Sequence, residues 1–153
     1  MAYLVDTNVL VRLAVPADPR HLSARHAVEA LEAEGLYAAS QNFVELWNVI
    51  TRPVENNGLG QTTTVADQVL RSFKQAFARL PEPAGIYDRW RGLVVRFGVS
   101  GVKVHDARLV ALMLANDVVR ILTFNTADFR RYEVLGIRAV EPEKAPSINA
   151  TRG

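Results

Sequence analysis

The chain has no cysteine among its 153 residues. That excludes a disulfide scaffold, a zinc–thiolate site and a thiol nucleophile, and it fits the reducing conditions of a cytoplasm. No apolar run approaches the roughly 20 residues of a membrane span, and no basic segment leads into an apolar core at the N-terminus, so neither an anchor nor a secretory leader is expected. Lysine is scarce: only Lys74, Lys103 and Lys144 occur, and the other fifteen basic residues are arginine. Arginine grips phosphate through a planar fork, which permits a nucleic-acid partner. A G+C-rich coding sequence would favour arginine equally, and a net charge of +2 is too small to argue nucleic-acid binding by itself. At 49% hydrophobic and 22% charged, the composition is that of an ordinary globular protein, and the length suits one domain.

The organising stretch is the first ten residues, MAYLVDTNVL. Tyr3-Leu4-Val5 reads as a buried strand that ends at Asp6, followed by a tight polar turn and a helix from Val9 to Ala14. Asp18-Pro19 carries a helix-start signature, and the helix from Pro19 runs through Leu22, His26 and Leu31 to a stop at Gly35. Leu36–Ala39 is a second short strand, with Ser40 capping a helix over Gln41–Arg52. Residues 55–61 read as a loop. Thr64 to Asp67 resembles a capping box, and the helix behind it carries Val69, Leu70, Phe73, Phe77 and Leu80. Helices are expected over 84–97 and 104–116, with a turn at 98–101. Strands are expected over 118–124 and 137–140, joined by a polar turn at 125–129. Strands alternating with helices predict an α/β fold with a mainly parallel sheet. One domain is expected over 1–140, with 141–153 a loosely held tail.

Four acidic residues stand out against this frame. Asp6 ends the first strand. Glu45 lies beside the apolar face of its helix. Asp106 has Leu109, Val110 and Met113 at i+3, i+4 and i+7, which turns it toward the core, and Asp128 follows the VVRILTF strand. A buried carboxylate is costly unless it is paired, hydrogen-bonded or metal-bound, and several together raise one another's pKa until a cation enters. Hard oxygen ligands suit Mg²⁺ or Mn²⁺, ions that activate water for phosphodiester cleavage. Each residue also has an ordinary reading: Asp6 as a helix cap, Glu45 in a pair with Arg52 or a distant arginine, Asp106 as a first-turn acid, Asp128 as a turn residue. Thr7, Asn8, Thr123 and Asn125 supply short polar side chains able to support a carboxylate or its water; each also suits a turn. His105 is rotated about 100° from Asp106 and reads as a helix-start residue.

Four segments in this order, VDTNVLV, FVEL, HDARLVALM and LTFNTADF, resemble a PIN domain, and more narrowly the VapC-type toxins of bacterial toxin–antitoxin modules. The resemblance spans roughly Tyr3 to Val140. It implies a three-layer α/β/α sandwich and a metal-dependent ribonuclease. In it Asp6, Glu45, Asp106 and Asp128 form the acidic quartet, with Mg²⁺ or Mn²⁺ held by Asp6, Asp106 and Asp128. Thr7 or Asn8, Thr123 and Asn125 play supporting parts. The family's last motif often carries an acid where Asn125 stands, so one well-formed metal site is expected. The resemblance also implies a homodimer and a cognate antitoxin lying across the active-site groove. Arg12, Arg130 and Arg131 are candidates for holding the RNA backbone, or are simply solvated surface. Two other readings compete: a non-catalytic module that binds RNA or protein, and an aspartyl-phosphate phosphatase with Asp6 as nucleophile. The second wants an aspartate at position 8, where Asn8 stands.

Overall fold

The computed structural model describes residues 1–150. Five parallel strands form one sheet in the order β3-β2-β1-β4-β5. They are β1 (Tyr3–Val5), β2 (Leu36–Ala38), β3 (Ala78–Arg79), β4 (Arg120–Leu122) and β5 (Arg138–Val140). In register, Tyr3 lies beside Leu36 on one side and Arg120 on the other. The helices are α1 (Thr7–Ala14), α2 (His21–Leu31), α3 (Ser40–Thr51), α4 (Thr63–Ala76), α5 (Ile86–Phe97), α6 (Val104–Ala115) and α7 (Ala145–Ala150).

Alternation along the strands separates two cores. Tyr3 and Val5 face one way and pack with residues of α1, α2, α3 and α4. Leu4 and Ile121 face the other way and pack with α5, α6 and the segment around Phe129 and Tyr132. Successive strand side chains point to opposite faces, so a sheet this hydrophobic is covered on both sides. The result is a three-layer α/β/α sandwich, as the resemblance implies, around the parallel sheet that the pattern of elements predicts. Each fully buried Leu, Ile or Met here, such as Leu109, Leu112 and Met113, contributes about 1.5–3 kcal/mol of transfer free energy.

The strand order reverses at β1, whose neighbours lead to opposite edges of the sheet. The crevice beyond the carboxyl ends of β1 and β4 is the position where doubly wound sheets bind ligands. Asp6 and Thr123 are the first residues past those two ends.

Several boundaries differ from the sequence reading. The first helix starts at Thr7, two residues early, because Asp6 itself is the cap. Asp18 does not open α2: its side chain accepts from the Arg20 N–H in a turn, and the helix begins at His21. Leu22 is exposed, and α2 buries Ala24, Ala27 and Leu31 instead. Ala39 precedes α3, its N–H bonded by Asn42 Oδ1. Thr62, not Thr64, caps α4 by accepting from Val65 N–H. That helix ends at Ala76; Phe77 leads into β3, an edge strand that pairs with β2. The turn after β4 extends into a 3-10 run over Thr126–Leu135. The segment read as a loosely held tail forms a 3-10 turn at Pro142–Lys144 and then α7, both packed on α2, with Pro142 and Ala145 buried. Residues 151–153 of that call lie outside the described residues. Among the described residues, no helix is long and apolar enough to cross a membrane.

Candidate active site

Asp6 is only 6% exposed. Its backbone is extended and its Oδ1 accepts from the Thr7 N–H at 2.8 Å, so it caps α1. Its Oδ2 accepts from Thr123 Oγ1 at 2.9 Å and from Asn8 Nδ2 at 3.2 Å. Asn8 also donates to Thr123 Oγ1 at 3.0 Å, and its Oδ1 accepts from the Phe124 N–H. The Asn125 N–H donates to Thr123 Oγ1 at 3.0 Å, while the Asn125 side chain is exposed. Capping and site-building are therefore one arrangement: the cap fixes a carboxylate at the seam between β1 and β4.

Burial pushes the Asp6 carboxyl up to about 7, with the Asp106 and Glu45 charges adding to the rise; the donors from Thr123 and Thr7 oppose it. Asp106, half-buried in the first turn of α6, rises to about 6. Burial is again the largest cause, then the charge of Asp128, with Lys103 opposing.

Glu45 faces Asp6 from α3. Its Oε2 accepts from Thr7 Oγ1 at 2.5 Å, and Asn42 Nδ2 donates to that hydroxyl at 3.1 Å. Its Oε1 accepts from Gln41 Nε2 at 3.0 Å. No arginine pairs with it among the described residues, so the alternative of an Arg52 partner is not the arrangement found. Gln41 also donates to the His105 carbonyl at 2.8 Å and accepts from Arg108 Nη1, tying α3 to α6 beside the acids. Asp128 pairs with Lys103 at 2.7 Å.

A family model described as PIN domain matches residues 3–135. The chain belongs to the PIN-domain family. No curated protein matches it in sequence. Solved structures do share its fold. A chain of VapBC2 from Rickettsia felis, bound to a DNA fragment from its promoter, superposes with a TM-score of 0.69 at 16% identity, covering 92% of this chain and 98% of that one. VapC20 of Mycobacterium tuberculosis, a sarcin-ricin-loop-cleaving toxin, gives 0.66 at 17% identity over 92% and 98%. FitAcB from Neisseria gonorrhoeae gives 0.64 at 22% identity over 93% and 98%. At these identities the likeness establishes the PIN fold.

PIN-domain chemistry asks for a divalent cation, and the donor set here is the right kind: oxygen only, with two carboxyls driven toward their neutral forms by burial and mutual repulsion. Among the described residues, no three acidic or histidine side chains converge on one ready-made ligand sphere. That arrangement still fits Mg²⁺, which keeps several waters and needs only one or two protein carboxylates. Lys103 supplies a local positive charge at Asp128.

The arginines proposed from sequence are scattered. Arg12 pairs with Asp18 at 3.5 Å. Arg130 and Arg131 are exposed on the 3-10 run that carries Asp128. Among the described residues, no hydrogen bond or ion pair joins the three to Asp6, Glu45, Asp106 or Asp128. Sequence reasoning passed over Gln41, Asn42, Lys103 and Arg108. Gln41 precedes Glu45 by one helical turn, a spacing that lets the two side chains meet. Asn42 is a fully buried polar residue of α3.

Proposed function

We propose that this PIN-domain chain is a metal-dependent endoribonuclease, the toxin of a VapC-type toxin–antitoxin module, that hydrolyses RNA phosphodiester bonds. The observation that carries the reading is Asp6. A carboxylate at 6% exposure, hydrogen-bonded on both oxygens and coupled to Asp106 and Glu45 at the switch point of a parallel sheet, is expensive for a fold to keep without a use for it. Solved structures of the same fold include VapC20, a sarcin-ricin-loop-cleaving toxin.

Asp6, Asp106 and Asp128 would hold Mg²⁺ or Mn²⁺, one or two of them directly and the rest through its waters, with Glu45 helping directly or through water. The ion supplies Lewis acidity for activating water and stabilising the leaving oxygen. The chain's own residues do the positioning. Thr7, Asn8 and Thr123 lock the Asp6 carboxylate against rotation. Thr7 and Gln41 orient both oxygens of Glu45. Arg12, Arg130 and Arg131 are proposed to hold the RNA backbone, with salt-dependent binding as their signature. The same reading carries a homodimer, a cytoplasmic location and an antitoxin across the groove.

The test is cleavage of total RNA by purified protein with Mg²⁺, Mn²⁺ or EDTA, beside Asp106→Asn. Discrete fragments that need metal and vanish in a folded mutant support the reading. Retained cleavage in the mutant, or none under any metal, overturns it.

A further inference from the structure

We propose that the groove between α5 and the first turn of α6 takes a nucleobase of single-stranded RNA beside the bond to be cut. A cavity of about 600 Å³ opens there, lined by Ile86, Tyr87 and Trp90 from α5 and by Val104, His105 and Arg108 from α6. That volume suits a small planar ligand. Tyr87 is 67% exposed although it is large and aromatic. Its ring lies 5.8 Å from that of Trp90 at a 41° tilt. Trp90 is fixed in place, because its indole N–H donates to the Val104 carbonyl at 2.8 Å. Together they offer a preset aromatic wall, and aromatic walls hold unpaired bases by stacking whatever the base.

The groove shares the first turn of α6 with the acidic cluster. His105 immediately precedes Asp106, and Gln41 bonds both the His105 carbonyl and Glu45. Arg108, on the rim, is held by Gln41 Oε1 and by an ion pair with Glu82. A phosphodiester seated on Asp6 and Asp106 must carry its flanking nucleotide somewhere, and this is a concave, mainly apolar pocket whose rim carries the Arg108–Glu82 ion pair. This inference rests on the nuclease reading, since it names where that substrate's base would lie.

The experiment uses Tyr87→Ala and Tyr87→Phe, each assayed for cleavage of short single-stranded oligoribonucleotides. In parallel, Trp90 fluorescence is followed in a Trp47→Phe, Asp106→Asn background titrated with the same uncleaved oligoribonucleotide. RNA is expected to quench Trp90 saturably. Tyr87→Ala should weaken that binding and lower kcat/KM by about tenfold, and Tyr87→Phe, which keeps the ring, should restore both. Wild-type cleavage without any Trp90 quenching would reject the base pocket and leave the nuclease reading standing. An absence of metal-dependent cleavage in the wild type would reject the nuclease reading, while quenching still reports the pocket. A Tyr87→Ala protein that changes oligomeric state in sedimentation would assign the groove to a contact between copies and overturn the proposal.

Discussion

Replacing Asp6 with asparagine should stabilise the metal-free protein at alkaline pH and do nothing of the kind in acid. The Asp6 carboxyl titrates at about 7 in the fold, against an ordinary 3.8. The folded state therefore binds a proton that the unfolded chain has already released. Below pH 4 the group is neutral in both states and costs nothing by this route. As pH rises from about 4 to 7 the stability falls, because ionisation is easier in the unfolded chain. At about 1.4 kcal/mol per pH unit, the whole window is worth about 4 kcal/mol. Asparagine removes that dependence. It keeps the shape and an acceptor for the Thr7 N–H, but it turns an amide toward Asn8 Nδ2 and Thr123 Oγ1 and loses both of those bonds. Asn8 retains Thr123 as an acceptor, so the two losses together cost about 2 kcal/mol. The expected difference between Asp6→Asn and wild type runs from about −2 kcal/mol at pH 4 to about +2 kcal/mol at pH 8. For a chain of this size the latter raises Tm by roughly 4–8 °C. Urea melts of both proteins in EDTA across pH 4–8 measure the difference directly, and it isolates this group from the other titrations. A difference that stays flat with pH, or a mutant less stable than wild type at pH 8, would refute the electrostatic account of the site.

Three further outcomes follow from the same cluster. Thr123→Val removes the hydroxyl that donates to Asp6 and accepts from Asn8 and from the Asn125 N–H; it should cost about 2–3 kcal/mol in urea melts and move Asp6 further above 7. Lys103→Met frees an oxygen of Asp128 and removes a positive charge that holds Asp106 down. Mn²⁺ should then bind about two- to fivefold more tightly in a thermal-shift titration of the non-cleaving Glu45→Gln background; weaker binding would show that Lys103 helps to build the site. Metal binding at pH 6 should release protons, since Asp6 and Asp106 are then partly protonated. Calorimetry in buffers of different ionisation enthalpy reads that release, which should shrink toward pH 8.

The parts of the fold that were legible share a cause. Tyr3-Leu4-Val5 is apolar on both sides because β1 is covered on both faces, and such a strand declares itself in the sequence. Asp6 and Asp106 were legible as exceptions: a carboxylate inside an apolar pattern carries a cost that an exposed one does not. What escaped notice depends on distant partners. β3 is two exposed residues held by backbone bonds to β2, with the Leu80 N–H reaching the Ala38 carbonyl, and backbone pairing leaves no side-chain period. Gln41 meets a carbonyl 64 residues away. α7 forms because α2 offers it a face, and its short sequence has no helical signal strong enough to stand alone.

The cluster's charge is balanced in three different ways along its length. Asp6 answers the charge problem with a proton, since its carboxyl sits near 7. Asp128 answers it with an ammonium group from Lys103. Glu45 answers it with two neutral donors, Thr7 and Gln41. A divalent cation arriving at the switch point would displace the proton from Asp6 and compete with Lys103 for Asp128, while leaving the Glu45 donors untouched. Binding is then an exchange of charge, and the metal's apparent affinity is the difference between two occupied states of the same carboxylates. On the proposed reading, pH and Lys103 would control metal loading, separably from anything that acts on RNA. The acids can thus persist in a stable fold without converging on a finished ligand sphere: Asp6 holds a proton and Asp128 an ion pair, and a cation would replace both.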